Sequence, residues 1–344
     1  MSIKEITELL INAKRPIEIF GSNENEIKKV YRNYAKICHP DLAKEEEKAL
    51  AEKATKILNE YYTLAQKEIQ DGTYQILDEK ELLKRTSTLF EFELKGREYK
   101  FYKVSRCEDV ATVYEGLLDE QLIELKIASD ESDDDLIKEE EKILSELDHL
   151  SIPKLISKAK INGRNAVIVE RKDGLTIEEI KKYYGNLSGE HICWILERLL
   201  SVVGYLHSKK IVHGNIKREN VLIDQSTHNV SVTDYSLCIE EANKETSKYK
   251  IVNETFSPKY VGKDAKVIPN VDIYAVGMLA IDLLGGDMDR VALPVNVDVK
   301  VRSFIRKLLS EKENDAWALW NELIQIRNEV YGHQRFKTLE RKVN

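Results

Sequence analysis

Ile211-Val212-His213-Gly214-Asn215-Ile216-Lys217-Arg218-Glu219-Asn220-Val221-Leu222-Ile223 is the stretch on which the reading of the larger part of this chain turns. Tyr205-Leu206-His207 precedes it, Asp234-Tyr235-Ser236 follows eleven residues after Ile223, and Asp272, Ala275 and Gly277 lie further on. Upstream the hydrophobic period changes. Leu89-Phe90-Glu91-Phe92-Glu93-Leu94 alternates, Lys95-Gly96 supplies a turn, and Tyr99 to Val104 resumes as strand. Strand patterns continue through Val113-Tyr114 and Leu122 to Ala128. After Asp148 the chain is mostly helical in pattern, with a strand pair around Ala166 to Glu170. Sheet first and helices after predicts an α+β unit with a small sheet-rich lobe followed by a larger helical lobe.

The full length, 344 residues, allows two or three domains with cores of their own. Lys+Arg 53 against Asp+Glu 60 leaves a net charge of −7, which argues against a general binder of nucleic acid or anionic membrane, since both need a basic surface. Cys38, Cys107, Cys193 and Cys238 are far apart and form no CxxC pair, so neither a metal site nor a disulfide framework is expected. Met1 to Ala13 lacks the order of a signal peptide. Val271 to Leu284, the most apolar stretch, is interrupted by Asp272 and Asp282 and does not read as a span. The expectation is a soluble, cytoplasmic protein. The acidic run Asp130 to Asp135 reads as a solvated loop entering a helix.

Residues 1–70 are almost wholly helical in pattern. Ile27, Val30, Tyr31 and Tyr34 recur at helical spacing, as do Ala54, Ile57, Leu58 and Tyr61, and Pro40 separates the two runs. Lys28, Arg32 and Lys36 fall at i, i+4 and i+8 and form one basic stripe, suited to an acidic partner surface on an otherwise acidic protein. Pro40 fixes the bend and leaves His39 and Asp41 on a rigid, exposed loop. This stripe, followed by His39-Pro40-Asp41 between two amphipathic helices, resembles the J-domain family over roughly residues 14–70. The resemblance implies that His39, Pro40 and Asp41, with Lys28, Arg32 and Lys36, engage a DnaK-type chaperone and stimulate its ATP hydrolysis. The plain alternative, a solvated face beside an ordinary turn, carries less weight because the tripeptide stands in register with both helices.

From about residue 99 the chain resembles the protein kinase family. His213-Gly214-Asn215 through Asn220 matches the catalytic loop usually written H-R-D-x-x-x-x-N, and Asp234-Tyr235-Ser236 stands where D-F-G belongs. Ser257-Pro258-Lys259 replaces A-P-E. Asp272 resembles the buried aspartate that supports the loop, with His213 a structural member of the same scaffold. Ile123-Glu124-Leu125-Lys126 resembles V-A-I-K, and Glu140 takes the place of its helical glutamate partner. Val169 and Glu170 fall at the gatekeeper and hinge positions. The implied organisation is a helical J-like domain at 1–70, a linker with an extra strand at 71–98, a sheet-rich lobe at 99–170, a helical lobe at 171–327 and a charged tail at 328–344.

The resemblance assigns nucleotide contacts to Lys126, Glu140, Val169 and Glu170, and metal contacts to Asn220 and Asp234. ATP with Mg2+ is then the cofactor, if one is bound at all. The departures from the pattern are specific. Aligned on Val113, the three phosphate-loop glycine positions hold Arg106, Glu108 and Ala111, whose side chains obstruct close approach of backbone to phosphate. Glu108 and Asp109 add like charge. Asn215 stands where aspartate accepts the substrate's proton, and loss of a general base costs roughly 10²–10⁴-fold. Lys217 remains. Gly214 removes the arginine that usually reads a phosphorylated activation segment. Lys259, in place of a glutamate, predicts a charge-reversed pair with Asp315. The expected function is a cochaperone carrying a pseudokinase module for a client or a nucleotide. The alternatives are a weakly active Ser/Thr kinase targeted by its J-like domain and a nucleotide-gated switch without transfer.

Overall fold

In the computed structural model the chain divides into two compact units, Met1–Ser87 and Thr88–Asn344. The structure describes all residues except 1, 14–15, 22–23, 71–73, 75–79, 81–82, 85, 225–226, 228, 241–247, 251–254, 260, 262–265, 311, 333–338 and 340–344.

The first unit is helical: α1 (Ile3–Asn12), α2 (Ile17–Phe20), α3 (Glu24–Ile37) and α4 (Lys48–Gln70). Ser2 opens α1 with a reciprocal cap, its hydroxyl accepting from the Glu5 N–H and the Glu5 carboxylate accepting from the Ser2 N–H. Ile6, Leu10, Phe20, Ile27, Ala54 and Leu58 make the core, as the helical spacing requires. The helices α3 and α4 run antiparallel. Tyr31 stacks on Tyr62 with ring centroids 3.9 Å apart and donates to Asn59 Oδ1 at 2.9 Å, while nearer the turn Thr55 Oγ1 donates to the Cys38 carbonyl at 2.6 Å.

The second unit opens with a six-stranded antiparallel sheet in the order β1-β2-β3-β4-β6-β5. Its strands are β1 (Phe90–Leu94), β2 (Arg97–Cys107), β3 (Ala111–Leu118), β4 (Gln121–Ala128), β5 (Leu155–Ile161) and β6 (Arg164–Glu170). Two hairpins turn on adjacent residues of positive φ, Lys95 (+54°) with Gly96 (+73°) and Asn162 (+52°) with Gly163 (+84°), the geometry that matches strand twist in two-residue turns. The sheet-rich lobe therefore begins near Thr88 and not at 99. The extra strand belongs to it because Phe90 and Phe92 stack on Phe101 and Tyr99 at centroid separations of 5.2 and 5.4 Å, burying one face of the hairpin. Most of the expected linker before it lies outside the described residues.

Helix α5 (Asp134–Glu146) packs on this sheet through Ile137, Ile143 and Leu144. The helical lobe follows, with β7 (Leu175–Thr176), α6 (Ile177–Tyr184), α7 (Gly189–Ser208), β8 (Val221–Ile223), β9 (Val230–Val232), α8 (Asn270–Leu284), α9 (Val299–Leu308) and α10 (Ala316–Tyr331). Helix α8 is apolar all round and buried at every position except Tyr274. Its two carboxylates, which break the apolar run in sequence, both have partners: Asp282 takes a bidentate pair from Arg218 at 2.6 and 2.7 Å and a further contact from Lys181. Among the described residues no helix is long and apolar enough to cross a membrane.

The helical lobe extends to Tyr331, so the expected break at 327/328 falls inside α10. Arg327 is fixed there by Glu197 at 3.0 Å and by the Trp194 ring. Most of the charged tail lies outside the described residues. The pair expected between Lys259 and Asp315 is not found among the described residues. Asp315 instead caps α10, accepting from the Ala318 N–H at 2.9 Å, and Lys259 is exposed. A cap satisfies an orphan helix donor three residues away, with no long-range loop to order.

Candidate functional site

The loop quoted at the outset is held by one buried carboxylate. Asp272, 1% exposed, accepts from the backbone N–H groups of His213 and Gly214 at 2.9 Å each and contacts His207 Nε2 at 3.0 Å. Burial alone would raise its pKa, but His207 and the loop amides hold it below the usual carboxylate range. His213 is fully buried, its Nε2 lying 3.2 Å from the Thr233 carbonyl and its ring edge-on to Tyr235. Gly214 adopts φ +71°, a left-handed conformation that favours glycine.

This scaffold brings Asn215, Lys217, Asn220 and Asp234 together. Asn215 Nδ2 donates to Asp234 Oδ2 at 3.0 Å, and Asn220 Nδ2 donates to the Asn215 carbonyl at 2.9 Å and to Asp234 Oδ2 at 3.4 Å. Asp234 Oδ1 accepts from Ser236 Oγ at 2.7 Å and from Lys126 Nζ at 3.1 Å. Ser236 stands where the third residue of D-F-G would be a glycine, and the hydroxyl this adds was not anticipated from sequence. Burial would raise Asp234. Lys126 and Ser236 overcome that and hold it well below the carboxylate range.

Lys126 on β4 is joined by Glu140 on α5 at 2.7 Å, the expected pair. Glu140 also accepts from the Tyr235 N–H at 3.0 Å, tying α5 to the Asp234 segment. Val169 is buried at the end of β6, and Glu170 is half-buried, its carboxylate on Lys172 at 2.9 Å. Neither the Val169 nor the Glu170 side chain hydrogen-bonds or ion-pairs with the Lys126 cluster.

The bend between β2 and β3 departs from expectation. Glu108 does not merely line the site: its carboxylate reaches Lys126 Nζ at 2.7 Å and is buried. Arg106 clamps it, giving one edge to Glu108 at 2.9 Å and a bidentate pair to Glu124 at 2.6 and 2.9 Å. Asp109, next along, accepts from Lys217 Nζ at 2.5 Å and from Asn215 Nδ2 at 3.4 Å. Lys126 is thus 2% exposed and faces three carboxylates, Glu108, Glu140 and Asp234. Its ammonium is held charged against the effect of burial by Asp234, Glu108 and Glu140. Burial and the Asp234 charge push Glu108 up to about 7, with Lys126 and Arg106 opposing.

The donor set has the chemistry for a nucleotide and a divalent ion, namely Lys126 for phosphate and Asp234 with Asn220 for metal. In this arrangement the fit fails. Both Asp234 oxygens are engaged by protein donors, and two carboxylates stand against the two lysines that would meet phosphate. Among the described residues no group of three or more His, Cys, Asp or Glu side chains is arranged to hold a metal ion.

In the helical unit, His39-Pro40-Asp41 occupies the bend between α3 and α4. His39 caps a 3₁₀ turn over Pro40–Leu42, its Nδ1 accepting from the Asp41 N–H at 3.2 Å. The side chains of His39 and Asp41 are 52% and 85% exposed. Arg32 and Lys36 are exposed on α3 and Lys28 is half-buried, so the stripe projects outward at its end nearest the turn.

The protein kinase domain family matches residues 109–334. A probable serine/threonine-protein kinase PknB of Lactococcus lactis is 27% identical over 202 residues, which cover 55% of this chain and 32% of that protein. Cyclin-dependent kinase-like 1 of Caenorhabditis elegans is 28% identical over 196 residues, 56% of this chain and 54% of its own length. Serine/threonine-protein kinase 33 of Bos taurus is 24% identical over 194 residues, 53% and 39% respectively. The chain spans about a third to a half of these relatives. The matched segment carries the Asp272-anchored loop, the Lys126–Glu140 pair and Asp234, and the chain belongs to the protein kinase domain family.

Proposed function

We propose that this protein is a cytoplasmic J-type cochaperone whose kinase-fold unit binds a client protein without transferring phosphate. The observation that carries the reading is the His39-Pro40-Asp41 turn. It combines two exposed polar side chains with a fastened backbone, since Thr55 holds the Cys38 carbonyl and His39 caps the bend. A rigid, exposed, charged turn ending a basic stripe suits an acidic surface on a DnaK-type chaperone, with Arg32 and Lys36 steering the encounter and Lys28 extending the stripe. On the kinase side, Asn215 supplies an amide where transfer requires a base, and its Nδ2 already donates to Asp234.

The test is steady-state ATP hydrolysis by a cognate DnaK-type chaperone with and without this chain. Wild type accelerates it, and His39→Gln abolishes the acceleration while circular dichroism stays unchanged. No acceleration by wild type with the cognate chaperone refutes the reading. One observation favours a second reading, a slow Ser/Thr kinase using Mg-ATP. Lys126, Glu140, Asn220 and Asp234 are all retained and held together, and transfer through a loose transition state depends only partly on the base. Labelled γ-phosphate transfer by wild type that is lost in Asp234→Ala would establish it.

A further inference from the structure

The acidic bend between β2 and β3 is placed where a kinase domain handles phosphate, and it matches that chemistry in charge and reach. Lys126 and Lys217 are the two cations of the cleft with such a role. Each is met by a carboxylate from adjacent positions of one loop, Glu108 on Lys126 at 2.7 Å and Asp109 on Lys217 at 2.5 Å. The first contact is buried on both sides, whereas the second is partly exposed, with the Asp109 side chain 38% and the Lys217 side chain 15% exposed. Glu108 is 4% exposed and clamped by Arg106, which is itself locked bidentately to Glu124. The loop backbone is closed by the Glu108 N–H donating to the Ala111 carbonyl at 2.8 Å, and Val110 is buried beside it. A carboxylate on a buried lysine supplies the negative oxygens that phosphate would supply, without a ligand.

We propose that Glu108 and Asp109 form an internal phosphate mimic, a latch that closes the nucleotide cleft of this chain and must swing out before the phosphates of a nucleotide can bind. The latch competes for the phosphate positions, since its two carboxylates meet Lys126 and Lys217. It rests on membership of the kinase domain family and not on the chaperone reading, so failure of either leaves the other standing. The structure also supplies a reporter. Cys107 adjoins Glu108 and is exposed, whereas Cys38, Cys193 and Cys238 are buried.

Calorimetric titration of the full chain with Mg-ATP and, separately, with adenosine tests the latch. Glu108→Gln with Asp109→Asn is expected to tighten Mg-ATP at least tenfold over wild type and to leave adenosine within about twofold, since adenosine has no phosphate to compete. Lys126→Ala added to that pair should erase the gain. Equal Mg-ATP affinity in wild type and the double variant overturns the proposal. So does an equal gain for adenosine, or an absence of Mg-ATP binding in a double variant that melts cooperatively. If the double variant does not fold, bimane attached to Cys107 of the otherwise wild-type chain decides. Saturating Mg-ATP should change its emission where adenosine does not, and Mg-ATP binding without any such change overturns the latch.

Discussion

The turn at His39–Asp41 and the bend at Glu108–Asp109 are both short, fastened connections between regular elements, and both present charged side chains. At the first, His39 and Asp41 face water and meet only each other, 3.8 Å apart. At the second, the Glu108 side chain is buried and that of Asp109 partly exposed, and each meets a lysine that a kinase would offer to its nucleotide. The difference teaches where a second molecule is needed. An exposed charge such as that of Asp41 keeps most of its hydration at a rigid turn, and contacts made in water are worth little. Buried charges must be matched within the chain, and removing one partner leaves the others uncompensated. The charges of the His39 turn are left to solvent, whereas those around Lys126 are matched within the chain.

The harshest way to break this comparison is Lys126→Met. It leaves Glu108, Glu140 and Asp234 buried around an uncharged side chain, and the expected loss is about 3–5 kcal/mol of unfolding free energy. Denaturant unfolding at neutral pH measures it. A change below about 1 kcal/mol would mean that the cluster is far wetter than its burial implies. No comparably large effect is expected anywhere on the His39 turn.

Protonation sharpens the contrast next. The Glu108 carboxyl is pushed up to about 7 by burial and the charge of Asp234, with Lys126 and Arg106 opposing and Glu140 adding to the rise. Swung out into water it would return to its ordinary value near 4.5. The latched form therefore holds the proton more tightly, and falling pH between about 7 and 4.5 favours it. Nucleotide binding should release a proton and weaken as pH drops from 7 to 5.5, by up to about tenfold per unit. Calorimetry in buffers of different ionisation heat counts that proton. In Glu108→Gln only the nucleotide's own titration should remain, and a persisting difference would point to another group.

How much of this was legible in the sequence depends on whether the signal was local. The helical period at 24–70, the alternation at 89–94 and the spacing of His213, Asn220 and Asp234 are local patterns, and all fold as they read. The Lys126–Glu140 pair was legible through the resemblance to the kinase family, which places such a lysine and glutamate on a strand and the helix after it. The role of Glu108 was not. In sequence it is an acid in a phosphate loop and reads as repulsion. Only the register that pairs Arg106 with Val113, and Val113 with Lys126, carries the bend over the lysine and turns repulsion into substitution. The expected Lys259–Asp315 pair failed for the converse reason, because a helix cap nearby claimed Asp315 first.

A smaller effect tests the loop scaffold itself. Gly214 has φ +71°, and a Cβ there would meet Ile239 and the Leu237 carbonyl only at 3.5 Å, ordinary contact. Gly214→Ala should therefore cost about 1–2 kcal/mol through backbone strain alone. A loss of several kcal/mol in thermal or denaturant unfolding would show that Asp272's hold on the Gly214 N–H is broken as well.

The least expected effect on stability is His39→Gln, and it bears most directly on the comparison. The side chain is half exposed and its one structural contact is a cap on a single 3₁₀ turn, 3.2 Å from the Asp41 N–H. Glutamine retains an acceptor there, so unfolding free energy should move by no more than about 0.5 kcal/mol, as for other surface positions. If the turn exists to meet a chaperone, that small change accompanies complete loss of ATPase stimulation. Stability and function then separate at this turn, whereas at Lys126 the expected effect is on stability. A His39→Gln chain that loses several kcal/mol would instead place the turn among the structural elements of the helical unit, and the contrast between an outward-facing and an inward-facing loop would fail at its outward end.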